Sequence, residues 1–180
     1  MLKRIEINLE PLEILLYYWS AVADREKVAE SFFTDVANMD SVKAVLDDQF
    51  DAESIRKVLS AIQNREKLSG ATKPELKFWN NNMWMMEDLE MPQMMSAPIK
   101  KMNLNTYVEE LNQEFPNFDR EEITVYFAPL HLETYYITND MLIINFFRIM
   151  VDLFGDNPPK IDGVPVEEFV IARIKEYMGR

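Results

Sequence analysis

EEITVYFAPLHLETYYITNDMLIINFF, running from Glu121 to Phe147, is the one long stretch rich in β-branched and aromatic residues. Nearly everything outside it has helical spacing. Asn139-Asp140 separates two apolar segments, and both residues tolerate the positive φ that a two-residue hairpin turn uses. Closing a hairpin there sets Thr138 opposite Met141, Ile137 opposite Leu142, Tyr136 opposite Ile143 and Tyr135 opposite Ile144. That register puts apolar or aromatic groups on both faces of the ribbon. Two strands of this kind do not persist in water alone, so helices must cover them. The reading is α+β and predominantly helical, with a small antiparallel sheet over about residues 122–147 packed by helices.

Working outward, Ile5, Ile7 and Leu9 alternate as a short strand or an extended lead-in, and Glu10-Pro11 opens a nearly all-apolar helix. Asp24 has the chemistry of an N-cap for a second helix, with stripe residues Val28, Phe32 and Val36. Asp40-Ser41 begins a short third helix. Asp51 caps a fourth, with Ile55, Val58, Leu59 and Ile62 at helical intervals. Leu68 to Pro74 breaks the run. Residues 1–70 therefore read as a helical N-terminal subdomain and 71–180 as an α+β part, with one continuous domain as the alternative.

After Pro74 the spacing predicts a helix with Leu76, Trp79, Met83 and Met86 on its buried stripe. Pro92 and Pro98 predict a loop or broken helix from Glu90 to Asn105. Past the hairpin, Phe146 to Phe154 reads as helix ending at Gly155, 156–163 as loop, and 165–179 as a last helix.

Composition narrows the function classes. The 180 residues include 48% apolar side chains, no Cys, one His and four Gly, with a net charge of −12. Nine basic residues face thirteen acidic ones up to Gly70, four face seven over 71–118, and six face eleven thereafter. With no basic region to neutralise phosphates, nucleic acid is a poor partner, as is an anionic membrane. No apolar run spans a bilayer, and the N-terminus has no signal-peptide core, which suits a cytoplasmic chain. The missing Cys removes thiolate chemistry, and the scattered glycines form no phosphate-cradling loop.

His131 is the one candidate for imidazole catalysis. With Glu133 two residues on, it would share one face of a strand, as a general base and its orienting carboxylate. An oxygen- and nitrogen-ligated metal could use that pair together with Asp140 or Glu122, but with no second His at ligand spacing a zinc hydrolase lacks its ligands, and no cofactor is implied. Methionine is the other unusual feature, since seven of twelve lie between Met83 and Met102. Thioethers fill irregular cores, and they also adapt to apolar partners. Two function classes follow. One is a non-catalytic interaction or oligomeric module, binding a second subunit or a peptide through Trp84, Met91, Met94 and Met95. The other is a small hydrolase-like or metal-dependent enzyme centred on His131 and Glu133.

Overall fold

A computed structural model describes all residues from Met1 to Arg180. In chain order the elements are β1 (Arg4–Asn8), α1 (Glu10–Ala23), α2 (Glu30–Asn38), α3 (Asp40–Lys43), α4 (Ala52–Gln63), α5 (Lys73–Glu87), α6 (Glu90–Lys101) and α7 (Val108–Glu114). The strands β2 (Glu122–Ala128), β3 (Tyr135–Ile137) and β4 (Leu142–Asn145) follow, then β5 (Lys160–Ile161), β6 (Val164–Pro165) and α8 (Val166–Met178). The chain is α+β and predominantly helical, with a four-stranded and a two-stranded sheet packed against helices. No helix is long and apolar enough to cross a membrane.

The hairpin forms in the expected register, pairing Tyr135 with Ile144, Tyr136 with Ile143 and Ile137 with Leu142. Its turn differs in chemistry. Neither Asn139 nor Asp140 has positive φ. The Thr138 N–H donates to the Met141 carbonyl, while the Met141 N–H turns to Thr138 Oγ1. The hydroxyl replaces a backbone acceptor, so no left-handed residue is required.

The antiparallel expectation holds for that pair alone. The sheet order is β1-β2-β4-β3, and β1–β2 and β2–β4 are both parallel. β1 brings a strand from the first ten residues into the sheet, and parallel partners need long crossovers. Here the crossover is the helical run α1 to α7. β1 is an edge strand, and side chains from the α7 region cap it: the Ile5 N–H donates to Asn105 Oδ1, and Leu2 exchanges two bonds with Asn112. An edge covered in this way is a poor template for a further strand.

One continuous core runs from Leu2 to Met178 and takes residues from both sides of the Leu68–Pro74 break. Ile123, Val125, Phe127, Leu142 and Ile144 belong to it. A smaller cluster of Val45, Ala128, Leu130 and Ile143, with Tyr126, Tyr136 and Met141 half-buried, covers the other side of the ribbon. α4 begins as read: Asp51 and Ser54 form a reciprocal capping box, and Ile55, Val58, Leu59 and Ile62 are buried. Asp24, by contrast, closes α1, and α2 begins at Glu30 without a side-chain cap.

α5 departs from the sequence reading by one residue. Its fully buried residues are Glu75, Phe78, Asn82 and Met85, while of the expected stripe Trp79, Met83 and Met86 are half-buried against the core and Leu76 is exposed. A one-residue shift turns a helix by 100°. Glu75 is buried because it closes a capping box with Thr72 and pairs with Lys57. Asn82 is buried because it meets the Trp19 indole. α6 is a helix rather than a loop. Pro92 falls in its first turn, where a missing N–H is harmless, and Pro98 is accommodated near its end.

Candidate functional site

His131 lies just past β2, in a bend rather than on a strand. Its ring stacks on Phe50 with centroids 4.1 Å apart and planes within 10°. Only 1% of the residue is exposed, and Nε2 has no hydrogen-bond partner. Burial holds its pKa below the usual imidazole range, against the opposing pull of Asp47 and Glu133. The adjoining cavity is about 10 Å³ and mostly apolar, lined by Leu15, Val45, Phe78 and others. That is the size of a single water at most, with too few polar groups to hold one well. Glu133 is exposed, so the shared face anticipated for this pair does not form. The Glu133 backbone N–H donates to Tyr136 Oη at 3.2 Å.

What fixes the His131 segment is Asn145, buried at the end of β4. Asn145 Oδ1 accepts from the Leu130 N–H, and its Nδ2 donates to the carbonyls of Glu133 and Leu130. Arg148 adds a bond to the Leu132 carbonyl. The arrangement clamps a turn around a packed ring. No group of three or more His, Cys, Asp or Glu side chains converges anywhere as a metal ion requires.

The Met and Trp residues divide. Met95 is 3% exposed and sits in the core, so it cannot line a surface patch. Its place on α6 follows from a helix that the prolines were expected to prevent. Met91 is half-buried against the core, whereas Met94 is 41% exposed and Trp84 is 65% exposed. Leu76, 49% exposed, lies on the same α5 stripe as Trp84, with Asn80 between them at helical spacing. The hydropathy pattern predicts a buried Leu76, and the phase of α5 puts it outside.

A second group of exposed apolar residues escaped the sequence reading. Met150, Leu153, Phe154 and Val164 all lie between β4 and α8, and Phe154 is 100% exposed. The helix expected over 146–154 is a single 3-10 turn at Phe146–Arg148, and Gly155 ends no helix. An apolar pair directly before Gly-Asp-Asn-Pro-Pro was the available signal, because those residues specify a surface loop.

No family model matches this chain, and neither does any curated protein or solved structure.

Proposed function

We propose that this protein is a non-catalytic cytoplasmic interaction module that offers the outer face of α5, together with Met94 of α6, to a second subunit or a peptide. The observation that carries the reading is Trp84, a large indole left 65% exposed on the same stripe as the exposed Leu76. Tryptophan is costly to leave in water and is enriched among residues that dominate interface energies. The net charge of −12 favours a partner with a basic rim. The alternative built on His131 and Glu133 has no hydrogen bond behind it, since the imidazole is enclosed with Nε2 unpartnered and the Glu133 residue is exposed.

A photo-crosslinking residue placed at position 84 tests this in cells. A discrete adduct that disappears with Leu76→Ser supports the α5 surface. Labelling no stronger than at exposed Glu87 overturns it.

A further inference from the structure

Two features at opposite ends of α8 complement each other. At its N-terminal end, the loop Val151–Pro159 is tied down at both sides. Met150 and Lys160 exchange two backbone bonds, and the Val166 N–H donates to the Pro159 carbonyl. Asp152 braces the interior by accepting from the Phe154 N–H and from both the backbone and side chain of Asn157. These bonds hold its carboxylate below the usual pKa range. The loop thus presents Leu153 and Phe154 at a shaped tip between two carboxylates, Asp152 and Asp156. Ordering costs that a flexible segment would incur on binding are already met.

At the C-terminal end of α8 lies an open groove of about 700 Å³ between the segment Glu114–Arg120, the β3–β4 turn and the helix end. Its apolar lining includes Phe115, Phe118, Ile137 and Met178, and Phe118 meets Tyr177 edge-on with centroids 6.2 Å apart. Arg120 lies on the rim, where its guanidinium donates to the Tyr177 hydroxyl and stands 5.7 Å from that ring. It has no carboxylate partner. Of the other charges on the groove, Glu114 pairs with Lys175 and Arg180 pairs with Glu176, while Asp119 stands alone.

We propose that the occupant of this groove is the Leu153–Asp156 loop tip of a second copy of the chain, with Phe154 seated beside Phe118 and Tyr177 and Asp156 reaching Arg120. The loop and the groove lie at opposite ends of α8. A helix of 13 residues is ~20 Å long. Two copies with their α8 helices antiparallel place each loop at the other's groove, as a two-fold interface demands. The fully exposed Phe154 and the unpaired Arg120 are then covered by the same contact. This interface is separate from the α5 surface, and each stands if the other fails.

Sedimentation of the full chain from 1 to 200 µM tests it. Wild type is expected to dimerise, with Phe154→Ser weakening association by about thirtyfold or more, the scale for an aromatic anchor. Because the Phe154 side chain is fully exposed in the monomer and its backbone bond to Asp152 survives the substitution, circular dichroism and the melting temperature should not change. Arg120→Glu should weaken the dimer, and pairing it with Asp156→Arg should restore it. A wild-type monomer at 200 µM overturns the proposal. So does a dimer indifferent to Phe154→Ser, or a charge swap that fails to restore a dimer weakened by Arg120→Glu.

Discussion

The indole N–H of Trp19 donates to Asn82 Oδ1 at 2.8 Å, with both side chains fully buried between α1 and α5. Asn82 Nδ2 donates in turn to the Phe78 carbonyl at 2.8 Å. The pair satisfies two polar groups that would otherwise be stranded in the core, and it sets which side of α5 faces inward. Asn82→Ala leaves the indole donor unpaired and is expected to cost about 2 kcal/mol, within the usual range for an orphaned buried group. Urea unfolding measures this. Trp19→Phe should cost less in the Asn82→Ala background than in wild type, because the shared bond is already gone.

His131 makes stability depend on pH near neutrality. Its folded pKa is lowered, so as pH falls below about 6.5 the unfolded chain takes up a proton before the folded one does. The contribution is fully present above that value and is lost on acidification, at up to about 1.4 kcal/mol per pH unit, until the folded pKa is reached. The urea midpoint of wild type should fall between pH 7.5 and 5.5, and that of His131→Leu should fall less. The lowered carboxylates Glu53, Glu75, Glu121, Asp152 and Glu176 lose their share only at more acid pH. At pH 7.5 the variant should lie within about 1 kcal/mol of wild type, since Nε2 has no bond to lose.

Asn145 latches the turn that holds His131. Asn145→Leu removes the acceptor of the Leu130 N–H and the donor to the Glu133 carbonyl. The expected loss is roughly 2–3 kcal/mol. Amide exchange should accelerate at Leu130 more than in the β1–β2 pair. Uniform acceleration through the sheet would assign Asn145 to global packing instead.

Gly163 tests the β5–β6 hairpin. Asp162 and Gly163 have φ of +50° and +78°, and no atom lies within 4 Å of where a Gly163 Cβ would sit. Gly163→Ala therefore meets backbone strain alone and should cost about 1 kcal/mol. Gly163→Asn, better suited to left-handed φ, should cost less in the same thermal melt.

The parts of the fold legible in the sequence are those coded by neighbours. Asp51 three residues before Ser54, and the alternation of Tyr135 to Ile137 against Leu142 to Ile144, specify local pairings that the rest of the chain leaves intact. The phase of α5 was not legible by hydropathy, because its inner face carries Glu75 and Asn82, whose polar groups find partners only after folding. Met95 was misplaced for a related reason: the helix through Pro92 and Pro98 rests on packing that overrides a local breaker. The Asp162-Gly163 turn was readable, being among the strongest short hairpin signals, although the sequence reading passed it over as loop. The parallel β1–β2 pairing was not, since no local pattern names a partner so distant. Of the candidate site, Trp84 and Met94 were picked out by composition. The braced loop at Phe154 emerges only once Asp152 and Asn157 are seen to meet.

That distance between β1 and β2 shapes how the chain is born. Within the sheet β1 pairs solely with a strand separated from it by residues 9–121. At 5–20 residues per second, synthesis of that interval takes roughly ten seconds. Throughout it Ile5 and Ile7 have no sheet to join, and Asn105 and Asn112, which later guard the outer edge, do not yet exist for most of the wait. Unpaired apolar strand surface is thus carried through most of synthesis, and its exposure ends when β2 emerges.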